Sequence, residues 1–337
     1  MMTLFGDPNI WLPWSFGALL GVSILIYVVL DGFDLGVGVL FPFANGAEKD
    51  TMVASIGPFW DANETWLVLA VGILLVAFPV AHGIILTSLY LPVAVLLIGL
   101  IMRGVAFEFR AKAPAPWKNT WNGVFYAGSL LSSLAQGFML GMYIMGLTWT
   151  WGNVGFALLT AVFLTVGYSF IGATWLILKT EGALQKKAVD WAKGGIWGLI
   201  LGIGAISVAS PLVSPRIFEK WFSFPSMLYL APLPILSGLL VAYLWWKLST
   251  LPREDDSYAW SPFVAAMALF ILAFLGLAYS FYPYVVPEQM TIYEAAAAPE
   301  ALIIILVGAC FVVPTILAYT ALAYWVFRGK ATALSYE

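Results

Sequence analysis

Two short motifs place acids at a spacing that suits proton chemistry. Asp31-Gly-Phe-Asp34-Leu-Gly-Val-Gly38 holds one pair, and Gly57-Pro-Phe-Trp60-Asp61-Ala-Asn63-Glu64-Thr-Trp66 holds another. A separation of three puts both acids of a pair on one helix face. Carboxyls kept out of water have raised pKa values, so they can both take and release protons near neutral pH. Other chemistries lack their parts. A single cysteine, Cys310, excludes an internal disulfide and any cysteine-ligated zinc or iron–sulfur site built by this chain alone. A single histidine, His82, excludes a haem held by two histidines of this chain. No P-loop, Rossmann or CxxC motif occurs. Any redox or hydrolytic centre must therefore sit in another polypeptide.

The elements that carry these acids are membrane spans. Of 337 residues, 62% are hydrophobic and 10% charged, against roughly 25% charged in soluble domains. That composition cannot supply a polar surface for a soluble fold of this size. Aromatics at 16% exclude disorder, and a net charge of -3 offers no basic face to nucleic acid. Hydropathy divides the chain into about nine segments, near 13–40, 52–78, 81–103, 122–147, 153–179, 193–213, 225–248, 260–283 and 300–327, each close to the ~20 residues a bilayer requires. The first is not a cleaved signal peptide, since Asp7 is the only charge before Asp31. No connection resembles a separate soluble domain, so the chain reads as one transmembrane domain over 1–337. The longest connections are 104–121, 180–192 and 284–299. Thirteen of the fifteen basic residues fall in the odd connections and the C-terminus, and only Arg216 and Lys220 in the even ones. The positive-inside rule then puts the N-terminus outside and the C-terminus in the cytoplasm. A 4+4+1 grouping is faintly suggested, because Gly172 sits about where Gly32 sits in the first span.

With that orientation, Asp31 and Asp34 lie toward the cytoplasmic end of helix one. Gly32, Gly36 and Gly38 beside them allow a neighbouring helix close approach. Helix two runs the other way. Counted from position 52, Asp61 lies roughly 13 Å along the axis, near mid-membrane, with Glu64 one turn deeper. Ionisable groups at such depth cost several kcal/mol and are functional candidates by default. Asp34, Asp31, Asp61 and Glu64 thus form an expected ladder of acids from the cytoplasmic face inward. The plainer reading is a polar knot holding helices one and two together, or carboxylates bonded at an interfacial helix end. Arg103-Gly-Val-Ala-Phe-Glu108-Phe-Arg110 is mostly interfacial anchoring, with Arg103 the innermost charge and a partner for Asp34 or Glu108. Gln136 reads as an interhelical hydrogen bond, and His82 as an interfacial residue rather than a metal ligand. Trp60, beside Asp61, could stack on a ring.

These motifs resemble subunit II of the cytochrome bd ubiquinol oxidases. The likeness rests on 31–38 and on Trp60-Asp61-Ala-Asn63-Glu64-Thr-Trp66. It continues through 103–110, Gln136-Gly137 with Gly141, Thr291-Ile-Tyr293-Glu294-Ala295, and Val313-Pro314 to Tyr324-Trp325. The resemblance implies an all-α polytopic protein of nine helices, two four-helix bundles plus one peripheral helix. It implies a partner, subunit I, holding two b haems, one d haem and the quinol site, in a bacterial cytoplasmic membrane complex that oxidises quinol and reduces oxygen to water. This chain would ligate no haem and no metal. A small single-helix subunit and lipid are further expected partners. Asp31 and Asp61 would match a cytoplasmic proton pathway, and Trp60 and Asp61 a region where some members hold a structural quinone. The short chain, with Tyr293-Glu294 in place of a Trp-Asp pair, resembles the shorter, cyanide-insensitive branch. Two other readings stay open from the residues. One is a proton-coupled secondary transporter, against which the acids crowd into two helices with no matching interrupted pair elsewhere. The other is a purely structural assembly partner.

Overall fold

In the computed structural model, which describes residues 6–253 and 255–331, nine helices are long and apolar enough to cross a membrane. They are α1 (Pro8–Leu40), α2 (Trp60–Ala77), α3 (Tyr90–Lys112), α4 (Ala115–Ile144), α5 (Trp151–Lys179), α6 (Gly182–Val213), α7 (Pro232–Ser249), α8 (Ser261–Phe281) and α9 (Pro299–Val326). Starts follow ordinary capping chemistry. The Asp7 side chain accepts from Asn9 N–H ahead of Pro8, and Thr150 accepts from Asn153 N–H. Short helices Gly46–Ile56, Pro79–Ser88 and Pro215–Phe222 lie between spans.

The helices pack as two bundles and an outlier. α1 to α4 pack on one another, α5 to α8 do the same, and the α1–α5 and α4–α5 pairs join the two groups. Gly36 and Gly172 are the crossing point. A Cβ on Gly172 would lie 2.6 Å from the Gly36 carbonyl carbon, and one on Gly36 would overlap the Tyr168 carbonyl. Only bare backbones fit there. Phe33 of α1 stacks on Trp175 of α5 at 4.3 Å and meets Phe263 of α8 edge-on at 5.5 Å, closing the core between bundles.

α9 is mostly exposed and held at its ends. The Lys179 ammonium donates to the Phe327 and Gly329 carbonyls, and Ala297 N–H donates to the Ala77 carbonyl at 2.8 Å. At the same end as Lys179, helix Gly46–Ile56 straps the bundles together. Glu48 pairs with Lys187 of α6 at 2.7 Å, and Asp50 with Arg110 of α3 at 2.6 Å and Lys118 of α4 at 2.9 Å. The Lys187 ammonium and the Asn45 N–H hold the Glu48 carboxyl below the ordinary range.

The structure corrects several sequence boundaries. The second segment breaks at Gly57-Pro58-Phe59, and α2 starts only at Trp60. The third does not start at 81. Phe78 before Pro79 sits at φ -132, ψ 58, outside the helical region that a residue preceding proline avoids. A separate helix Pro79–Ser88 follows, so α3 is displaced to Tyr90–Lys112. The stretch 182–192, read as a connection, is the first part of the 32-residue α6. That helix is ~48 Å long at 1.5 Å per residue and must project past a ~30 Å hydrocarbon layer. The outer connection contains a two-stranded hairpin, Tyr284–Val286 with Met290–Thr291, which the all-helical reading did not include.

Candidate functional site

α1 presents Tyr27, Asp31 and Asp34 to the first bundle, and both acids have no exposed surface. Opposite them α3 presents Arg103, 2% exposed. Its position is set by backbone contact, since a Cβ on Gly128 of α4 would lie 2.7 Å from the Arg103 nitrogen. The guanidinium is a fork between two acids. Nη1 donates to Asp31 Oδ1 at 2.5 Å and Nη2 to Glu64 Oε2 at 2.7 Å. The Glu64 side chain is 29% exposed, so the cluster is enclosed at Asp31 and reaches the surface of the chain at Glu64.

Asp34 is held by an amide rather than by the guanidinium. Asn63 Nδ2 donates to Asp34 Oδ2 at 2.7 Å and approaches the Leu30 carbonyl at 3.3 Å. The Tyr324 hydroxyl of α9 donates to Asn63 Oδ1 at 3.1 Å, which turns the amide nitrogen toward the acid. Asp34 Oδ1, Asp31 Oδ2 and Arg103 Nε have no hydrogen-bond partner among the described residues. Asp34 and Arg103 line a gap, too narrow to hold a water molecule, together with Ile56, Trp60, Phe107 and Phe125. On the other side, Tyr168 of α5 donates to Gln136 Oε1 and Gln136 Nε2 donates to the Tyr27 hydroxyl, each at 2.7 Å. Tyr27 lies one turn from Asp31 on the same face.

Asp31, Glu64 and Arg103 are therefore brought into direct contact, and Asp34 is beside them through Asn63. Three expectations change. Arg103 pairs with Asp31 and Glu64, not with Asp34 or Glu108, and Glu108 is exposed. Asp61 is exposed and lies in the first turn of α2, because that helix starts eight residues later than hydropathy placed it. The order Asp34, Asp31, Asp61, Glu64 changes with it, since Asp61 in the first turn of α2 lies at the same end of the helix pair as Asp34 and before Glu64. Trp60 is half-buried and packs on Phe107 at 5.3 Å. Gln136 makes interhelical bonds, as its place in an apolar span implied. Tyr27, Tyr168 and Tyr324 were missed as site residues. Tyr27 carried a signal in its spacing from Asp31, but nothing local marks Tyr324.

Carboxylates and a guanidinium fill the buried cluster, a donor set that suits protons. Among the described residues no group of three His, Cys, Asp or Glu is arranged to hold a metal ion.

Comparison with known proteins agrees along the chain. A family model described as cytochrome bd terminal oxidase subunit II matches residues 12–327. The chain is 28% identical over 362 residues to cytochrome bd-I ubiquinol oxidase subunit 2 of Escherichia coli strain K12, covering 93% of each. It is 27% identical over 338 residues to cytochrome bd ubiquinol oxidase subunit 2 of Bacillus subtilis strain 168, covering 93% of this chain and 95% of that one. A chain from the solved structure of the bd oxidase of Geobacillus thermodenitrificans has the same fold, with a TM-score of 0.74, 16% identity, and coverage of 93% and 98%.

Proposed function

The chain belongs to the family of cytochrome bd terminal oxidase subunit II, and from that premise we propose that it carries protons through its buried acid cluster while stabilising a haem-bearing subunit I. It is a multi-pass membrane subunit of a cytochrome bd ubiquinol oxidase, so the transporter alternative falls away. The complex oxidises quinol and reduces oxygen to water, and it builds proton motive force when the protons for water come from the cytoplasm. The N-terminus lies outside and the C-terminus in the cytoplasm of a bacterial membrane, as the basic residues favour.

The observation that carries the proton role is the triad Asp31–Arg103–Glu64. Two acids share one cation, and Asp34 adds a third acid beside them. The cluster has more carboxyls than cations, and that surplus lets it take up a proton and pass it on. Arg103 does not give up its own proton. Its role is to hold Glu64 and Asp31 at fixed positions at two ends of one guanidinium plane, so that a proton entering at the partly exposed acid has a defined receiver at the buried one. The order we propose is Asp61 at the surface, Glu64 at the edge, then Asp31 inside, with Asp34 biasing the charge. Trp60 and Asp61 remain the place for a structural quinone, on the exposed side of the indole. The gap behind it has no room for a water molecule, far short of the ~300–1,000 Å³ of small-molecule pockets.

In the purified two-subunit complex, Asp31→Asn keeps its haem spectrum and loses turnover by roughly a hundredfold, the lower range for loss of a proton-transfer group. Asp61→Asn, at an open position that water can serve, loses less. Normal turnover in Asp31→Asn with the complex intact overturns the proton role, and loss of haem alongside activity assigns Asp31 to assembly.

Tyr324→Phe offers a finer check. It frees the Asn63 amide to turn, which removes the donor to Asp34. About 1 kcal/mol of stability is lost, the complex assembles, and the pH profile of turnover moves. An unchanged profile makes Tyr324 a packing residue.

A further inference from the structure

We infer that Lys330 and Asp256 are positioning residues for the acid cluster: they latch the C-terminal end of α9 onto the second bundle and so keep the Tyr324 hydroxyl on Asn63. The inference rests on the proton role proposed for that cluster. Residues 327–331, just past α9, lie across the end of the second bundle. The Lys179 ammonium of α5 donates to the Phe327 and Gly329 carbonyls. The Ala331 N–H returns a bond to the Lys179 carbonyl at 2.8 Å. The Lys330 ammonium pairs with Asp256 Oδ2 at 2.6 Å and donates to the Thr180 carbonyl at 3.1 Å. Asp256 is itself held, because Gln185 of α6 donates to its Oδ1 at 2.6 Å. All these partners belong to the second bundle and its connections, while the acids belong to the first.

Tyr324 sits one turn before the latched segment. Its ring packs on Phe59 at 4.6 Å, and its hydroxyl donates to Asn63 Oδ1 at 3.1 Å. The charged and titratable groups around Asp34 are Asp31 of α1, Glu64 of α2, Arg103 of α3 and Tyr324 of α9. The first three hold one another inside the first bundle. Tyr324 instead comes from a helix that is mostly exposed to its surroundings. The other anchor of α9, Ala297 N–H on the Ala77 carbonyl, lies ~40 Å away along the helix axis. Pro314 between them removes one helical hydrogen bond. Over that length a tilt of ~2° moves the far end by roughly 1.4 Å, enough to break the Tyr324 bond. The Lys330–Asp256 pair is partly exposed, and such pairs add little stability. Its effect is on where Tyr324 stands.

The test uses the intact two-subunit complex and two readouts, hydrogen exchange over residues 324–331 and the pH profile of quinol oxidation. Asp256→Asn keeps the local backbone, because Asn tolerates the left-handed φ of 53° found there. In Asp256→Asn and in Lys330→Gln, exchange over 324–331 rises roughly threefold, the range for a part-exposed ion pair. The pH profile moves in the same sense as in Tyr324→Phe. Lys330→Arg keeps the charge and matches the wild type in both readouts. Unchanged exchange in Asp256→Asn and Lys330→Gln means that the pair does not hold the tail, which overturns the inference and leaves the proton role standing. Faster exchange with an unmoved profile, where Tyr324→Phe does move it, confines the pair to tethering and overturns the inference as well. A profile unmoved even in Tyr324→Phe makes Tyr324 a packing residue, and the inference falls with it. The proton role itself is judged separately, by turnover of Asp31→Asn.

Discussion

Arg103→Met is expected to abolish accumulation of the assembled complex. The substitution leaves Asp31 with no exposed surface and no cation. Removing one partner of a buried pair costs ~3–5 kcal/mol, a large part of the ~5–15 kcal/mol by which proteins are stable. The loss comes from the stranded acid, not from the missing guanidinium. Neutralising the acids therefore restores assembly. The triple variant Arg103→Met, Asp31→Asn, Glu64→Gln is expected to recover most of the wild-type yield and thermal midpoint. It does not recover turnover, because the groups that accept protons are gone. This separates the two roles of the cluster, since a structural knot alone predicts an active triple variant. Arg103→Lys lies between, because an ammonium is a point charge without the fork that meets two acids in different directions. Yield of the haem-bearing complex and quinol oxidation rate decide each case. An Arg103→Met complex that assembles and turns over normally removes the ion cluster from both stability and mechanism.

How much of this arrangement the sequence could convey depends on the range of each interaction. The nine spans were legible because an apolar run long enough to cross a bilayer is a local property. The choice of Asp31, Glu64 and Arg103 was legible too, since each is a charge in a span with few others. Depth was not. Asp61 was counted from an apolar run that includes Gly57-Pro58, and hydropathy does not register that a helix stops and restarts there. The same blindness shifted α3 by nine residues at Phe78-Pro79. Pairing was legible only within a helix turn. Arg103 meets Asp31 across 72 positions and Tyr324 meets Asn63 across 261, so only the folded packing of α1, α2, α3 and α9 decides who pairs with whom. The glycines fall between these cases. Their spacing announced close approach on α1, while the identity of the neighbour, α5 at Gly172, needed the fold.

That crossing carries the other large expected effect. Gly36→Ala adds one methyl group, and on an isolated helix it would stabilise by about 1 kcal/mol. Here the added carbon would overlap the Tyr168 carbonyl of α5. Neither helix backbone can step aside without moving its bundle, because α1 also touches α4 through Gly38 and Ser129. Overpacking in a well-packed core costs ~1–3 kcal/mol when side chains can shift, and this contact has no side chain to shift, so the cost lies at or above the upper end. The consequence reaches the acids. Asp34 is two residues from Gly36 and Asp31 five, so a displaced α1 moves both relative to Asn63 and Arg103, and turnover falls along with assembly. Gly21→Ala is the control on the same helix. Its Cβ meets only the Phe274 ring at 3.9 Å, an ordinary contact, and the variant is expected to match or exceed wild type in thermal midpoint. A Gly36→Ala complex as stable as Gly21→Ala would mean that α1 and α5 do not cross at Gly36 and Gly172, and that the α4–α5 contact at Gly137 and Gly141 carries the join between the two bundles.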